Sequence, residues 1–125
     1  MGLATYCQGN ICAYRGQMGE ANALFRKAIV LDPYCARAYE NLALMLNTGN
    51  RRDREEAGTL IVQAHRIAVE DTIIAQQAAA ILTELGRPAE ALEALRETMA
   101  KWPVDSPERK ELERSATGLK WRMER

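Results

Sequence analysis

One spacing occurs three times along the chain. Ala21, Phe25, Ala28 and Pro33 are separated by four, three and five positions. Ala57, Ile61, Ala64 and Val69 repeat those gaps, as do Ala91, Leu95, Thr98 and Pro103. Ala21 and Ala57 stand 36 residues apart, Ala57 and Ala91 34. A repeat of this length describes a supersecondary unit that cannot bury its apolar face alone and gains a core only by stacking on its neighbours. The chain is therefore constrained to a helical array rather than to a fold closed around a single centre.

The residue types explain the cadence. Within each unit the apolar positions recur every three or four residues, the period of an amphipathic helix. Alanine or glycine is needed where two helices approach closely, and Phe25, Ile61 and Leu95 are the bulky residues that fill the space beside them. Pro33 and Pro103 stop the second helix of a unit, since proline lacks the N–H donor and clashes with the preceding turn; Gly16, Gly49 and Gly86 end the first helices. These signals predict helices over 3–15, 18–31, 36–48, 54–68, 72–85 and 88–101. The two additional residues of the first interval are assigned to "NTGNRRDREEA", read as a longer polar turn, because turns accept insertions more cheaply than packed helices do.

A seventh helix is predicted over 106–124. Ser106 is the N-cap, Pro107 the first helical residue, and Glu108 lies in the first turn. Leu112, Ser115, Ala116, Leu119 and Met123 share one face, with Arg and Lys on the other. An array needs such a terminal cap, apolar inside and polar outside. Trp121 is expected to seal its end, with contact to a partner as the alternative. Copy one, beginning at residue 2, has no equivalent cap before it: either the array starts bare and exposes apolar surface, or the chain is part of a longer one, or another subunit covers that end, as in a homo-oligomer formed through the uncapped N-terminal end.

Composition narrows the function. Of 125 residues, 47% are apolar and 27% charged, with 17 basic residues against 17 acidic. That balance gives no electrostatic footprint for nucleic acid or an anionic membrane. No run of about 18 apolar residues suggests a membrane span, and no basic region followed by an apolar block suggests a signal peptide. The three cysteines, Cys7, Cys12 and Cys35, form no Cys-x-x-Cys pair and are expected to be buried thiols in a reducing, cytoplasmic setting. No phosphate-binding glycine loop, nucleophile elbow or metal-ligand cluster occurs, so no catalytic residue, cofactor or metal is expected. His65, beside the small position Ala64, reads as a surface or half-buried structural residue.

With its small, bulky, small and proline positions, the unit of 34 residues resembles the tetratricopeptide repeat family over residues 2–105. Gly9 falls on the small position of the first helix in copy one. Tyr39, Leu42 and Ala43 fit the corresponding pattern in copy two, and Ala75, Ala78 and Ala79 occupy those places in copy three. Thr5 and Ala75 replace the usual tryptophan, and Val69 the usual proline. The resemblance implies an all-α, right-handed α-α superhelix: one domain over 1–125, with repeats 2–35, 36–71 and 72–105 and the capping helix 106–124. It further implies a protein-interaction module that binds a peptide segment of a partner protein along the concave face. Carried over by position, that face comprises Tyr6, Asn10, Ala13 and Tyr14; Arg37, Glu40, Asn41 and Leu44; and Ile73, Gln76, Gln77 and Ala80. Tyrosines, amides and aliphatic residues suit a peptide backbone with apolar side chains.

Three subfamilies bear on the partner. Clamps for the acidic C-termini of heat-shock chaperones use two asparagines, matched by Asn10 and Asn41, together with basic residues. Tyr6, Ile73 and Gln77 stand in the basic places, so a carboxylate would lack its charge-assisted bonds. A second subfamily carries an asparagine on every repeat, where this chain reads Cys7, Asn41 and Gln77. The small three-repeat chaperones of type III secretion are similar in size, with "LDPYCARAY" and a trailing helix in keeping. A structural or self-assembling subunit of a larger complex is the alternative to groove binding.

Overall fold

A computed structural model describes residues 2–124. They form seven α-helices and no strand: α1 (Gly2–Tyr14), α2 (Met18–Leu31), α3 (Ala36–Leu46), α4 (Arg51–Ile67), α5 (Thr72–Glu84), α6 (Pro88–Met99) and α7 (Pro107–Met123). Consecutive helices pack in pairs, α1 with α2, α3 with α4, and α5 with α6, and α7 lies against α6. The chain divides into two compact units, one ending at Ile67 and the other beginning at Ala68.

The repeated positions form the core of both units. Ala21, Phe25 and Ala28 are buried, as are Ala57, Ile61 and Ala64, and Ala91, Leu95 and Thr98. In the first unit, α1 and α2 meet at Gly9. A Cβ there would stand 2.7 Å from Cε1 and 2.8 Å from Cδ1 of Phe25, so only glycine admits the ring. The turns after α1 and α5 use Gly16 and Gly86, with φ of 76° and 78°, the left-handed conformation that closes a helix end. Gly49 differs. Its φ is not positive, and it leaves room for the Asp53 side chain, whose Cβ would lie 2.8 Å from an added methyl.

The polar segment after Gly49 corrects the sequence reading. It is helical from Arg51 rather than from 54. Asn50 Oδ1 accepts the backbone N–H of Asp53 at 2.9 Å, and Asp53 places a negative charge in the first turn. Both effects stabilise a helix start. α4 therefore has 17 residues, against 14 in α2 and 12 in α6. It is tied to α2 by a two-pronged ion pair: Arg26 Nη1 and Nη2 donate to Glu56 Oε2 and Oε1 at 2.8 and 3.1 Å, while Arg26 Nε donates to Asn22 Oδ1 at 2.6 Å. The bonds from Arg26 hold the Glu56 carboxyl below the ordinary carboxylate range.

In the second unit the end of α6 secures the segment before α5. Thr98 Oγ1 donates to the Val69 carbonyl at 2.6 Å, and Trp102 Nε1 to the Glu70 carbonyl at 2.7 Å. Hydrogen bonds here hold the segment in which Val69 stands for a proline. α6 has already ended at Met99, so Pro103 follows the stop rather than causing it. Ser106 caps α7 by accepting the Arg109 N–H at 3.2 Å. Of the predicted inner face, Leu112, Ala116 and Leu119 are buried, while Ser115 and Met123 are exposed. Trp121 is 58% exposed, more than a packed seal would be.

Two further expectations are corrected. None of the three thiols is buried: Cys7 is exposed and Cys12 and Cys35 are intermediate. His65 is buried, at 5% exposure, rather than at the surface or half-buried.

Two predictions follow from the packing and the ion pair. Gly9→Ala will lower the melting temperature, because displacing a buried ring costs about 1–3 kcal/mol and outweighs the ~1 kcal/mol helix gain of alanine. Gly118→Ala, where an added Cβ meets nothing within 4 Å, will raise it. Glu56→Gln will cost at most about 1 kcal/mol, since both partners are over a third exposed and solvent screens them. Because the folded-state carboxyl is depressed, that contribution is fully present above about pH 4.3 and is lost as pH falls through the lower folded value. Denaturant titrations of wild type and variant should therefore converge in acid.

Candidate functional site

In the first unit α1 and α3 are joined by side-chain amides. Asn41 Nδ2 donates to Asn10 Oδ1 at 2.6 Å and to Tyr6 OH at 3.3 Å. All three residues are half-buried. The Tyr6 ring rests near the Phe25 ring, with centroids 6.1 Å apart and planes inclined at 44°. The knob that fixes α2 against α1 thus also supports one end of this polar cluster. With Nδ2 of Asn41 committed twice, its Oδ1 is left as an acceptor and Nδ2 of Asn10 as a donor. One acceptor and one donor on neighbouring helices can bond the N–H and C=O of an extended backbone.

The other predicted residues of this unit have distinct positions. Glu40 is enclosed, at 4% exposure, and accepts from Arg37 Nη1 at 2.8 Å. It orients Arg37 instead of being presented to a ligand. Leu44 is 38% exposed, one helical turn beyond Asn41, and Ala13 is half-buried. Tyr14, at 94% exposure, lies one helical turn beyond Asn10 and two beyond Tyr6, and also adjoins exposed Ile11.

In the second unit Ile73 is 53% exposed, Gln76 and Gln77 are half-buried and Ala80 is exposed. Gln77 Oε1 is buried without a hydrogen-bond partner, which leaves an acceptor to be satisfied. Gln76 and Ala80 line a pocket of about 320 Å³ with Thr83 of α5, Leu95 of α6, and Ser115 and Arg122 of α7. The sequence reading treated α7 as a cap and overlooked this contribution. The signal was Ser115, a hydroxyl within an otherwise apolar inner stripe.

No helix of the described residues is long and apolar enough to cross a membrane, and no cluster of potential metal ligands occurs among them.

No protein-family model matches the chain, and no curated protein matches its sequence. Solved structures do resemble it. The type III secretion translocator chaperone SycD of Yersinia enterocolitica superposes with a TM-score of 0.74 at 18% identity, covering 98% of this chain and 85% of that one. The N-terminal domain of stress-induced protein-1 (STI-1) from C. elegans gives 0.72 at 18%, covering 95% and 94%. PcrH, solved in complex with the chaperone-binding region of PopD, gives 0.70 at 17%, covering 96% and 91%. The chain therefore has the all-helical, tetratricopeptide-like solenoid fold of these proteins.

The amide cluster should behave as a coupled unit. Asn10→Ala and Asn41→Ala will each cost about 1 kcal/mol of stability, the worth of a typical hydrogen bond. In a double-mutant cycle followed by urea denaturation the pair will show a coupling of about 0.5–1.5 kcal/mol.

Proposed function

We propose that the chain is a tetratricopeptide-repeat protein, a single domain with repeats 2–35, 36–71 and 72–105 and capping helix 106–124, that binds an extended peptide segment of a partner protein. The observation that carries this reading is the hydrogen-bonded set of Asn41, Asn10 and Tyr6 joining α1 and α3. It presents one amide acceptor and one amide donor in fixed positions, and fixed groups spare the ordering cost that weakens binding by flexible side chains. Exposed Leu44 supplies an apolar contact beside it. Ile73, Gln76 and Gln77 present aliphatic and amide groups of the same character on α5. These chemistries bind a backbone and small apolar side chains, which is the chemistry of recognition.

The similarity to SycD, described as a translocator chaperone, and to PcrH, solved with the chaperone-binding region of PopD, supports a chaperone-like version of this role, in which the bound segment is protected before it reaches its destination. A carboxylate clamp is disfavoured because Tyr6, Ile73 and Gln77 stand where cations would be required.

A displayed library of random peptides, panned on the purified protein, tests the proposal. Selected peptides will be uncharged at their centres and carry spaced aliphatic residues. Asn41→Ala will weaken the best of them about tenfold, the effect of losing one well-formed hydrogen bond, with the helical circular-dichroism spectrum unchanged. Equal affinity for wild type and variant would remove the α1–α3 cluster from the site.

A further inference from the structure

We propose that the cleft between α5 and α7 takes a tyrosine side chain of a partner protein. The recognition role above supplies only the source of that side chain; none of the residues concerned belongs to the α1–α3 cluster.

α7 packs along α6 and barely meets α5, which leaves a gap lined by Leu95 of α6. The resulting pocket holds about 320 Å³. That is near the lower limit of about 300 Å³ for ligand sites, so it suits one large side chain rather than a stretch of chain. Small Ala79 and Ala80 of α5, with buried Leu95 and Leu119, give it an apolar lining against which a ring can lie. The polar groups are spaced for the same cleft. Gln76 and Thr83 stand seven residues apart on α5, and Ser115 and Arg122 seven apart on α7. Two turns of helix bring each pair onto one face.

Charge and hydrogen-bonding capacity select the occupant. Glu84 and Arg122 both line the pocket. A carboxylate entering it would meet Glu84 and an ammonium would meet Arg122, and like charges set side by side are costly. A neutral side chain meets neither. Thr83 Oγ1 donates to the Ala79 carbonyl at 2.6 Å, so its oxygen is left as an acceptor. The side chains of Gln76, Ser115 and Arg122 make no hydrogen bond or ion pair among the described residues, and all three carry donors. One acceptor with uncommitted donors beside it complements a phenol, whose O–H donates while its oxygen accepts. An indole N–H cannot accept, and phenylalanine or an aliphatic side chain would use neither group. The Arg122 guanidinium can also lie over the ring face.

Titration of the full chain with N-acetyl-L-tyrosinamide, followed by backbone amide chemical shifts, tests the assignment. The shifts should concentrate at Ala79, Ala80, Ser115 and Leu119, with a dissociation constant on the order of 1 mM, as expected of so small a ligand. N-acetyl-L-phenylalaninamide should bind about three- to tenfold more weakly, the effect of one hydrogen bond, and the leucine amide more weakly still. Thr83→Val combined with Ser115→Ala should bind the tyrosine and phenylalanine amides equally, with the phenylalanine affinity unchanged. Ala80→Leu should fill the cleft and weaken both tenfold or more with circular dichroism unaltered, because Ala80 is exposed within the fold. Asn41→Ala should titrate like wild type, so this pocket and the α1–α3 cluster stand or fall separately. Shifts scattered away from α5 and α7 would overturn the proposal. So would a wild type that binds the phenylalanine, leucine or glutamate amide as tightly as the tyrosine amide, or a tyrosine preference that survives the double substitution.

Discussion

Phe25 lies so close to the α1 backbone at Gly9 that no β-carbon fits between them, and this contact governs the first unit. It sets the separation of α1 and α2. Because the Tyr6 ring lies near Phe25, it also fixes where the phenol meets Asn41. The polar cluster thus rests on a close-packed surface rather than on a mobile loop. A polar cluster supported in this way keeps its geometry without a ligand, which is what the proposed recognition role requires.

The corresponding knobs Ile61 and Leu95 are aliphatic, and the surroundings adjust. In the second unit Thr98 replaces a small apolar residue, yet its hydroxyl is satisfied by the Val69 carbonyl. A buried hydroxyl is tolerated where it has a partner and costly where it has none. Here it acts as a tether for the segment leading into α5, together with Trp102. The repeated cadence consequently constrains volume more strictly than chemistry, and the chemistry varies where a backbone carbonyl needs a donor.

The core was legible because burial imposes a period. Ala21, Phe25 and Ala28, and their counterparts, had to recur at helical spacing for their units to bury them. Polar residues carry no such period. "NRRDREE" reads as a solvated turn until Asn50 is seen to cap a helix, since the same amide serves either purpose. Glu40 reads as a presented carboxylate until it is found buried and paired with Arg37. Tyr14 illustrates a geometric limit. Each four-residue step rotates a side chain about 40° around the helix, so the half-buried face shared by Tyr6 and Asn10 has turned into solvent by Tyr14, two steps from Tyr6. His65 reads as a surface or half-buried residue because a lone histidine gives no pattern, although its neighbour Ala64 is among the most buried residues described. Of the pocket formed by α5, α6 and α7, only Ser115, a hydroxyl in an apolar stripe, is legible in the sequence, because the rest depends on where three helices meet.

The N-terminus of α4 shows how such an array accommodates unequal repeats. α2 begins three residues before Ala21 and α6 three before Ala91, but α4 begins six before Ala57. The additional length extends the unpacked end of the helix by about 4–5 Å, while Ala57, Ile61 and Ala64 keep their phase. Register in these helices is counted backward from the packed end, so the additional residues between Asn50 and Ala57 act as a slip joint: they are absorbed by growth into solvent, and no side chain in the core has to rotate.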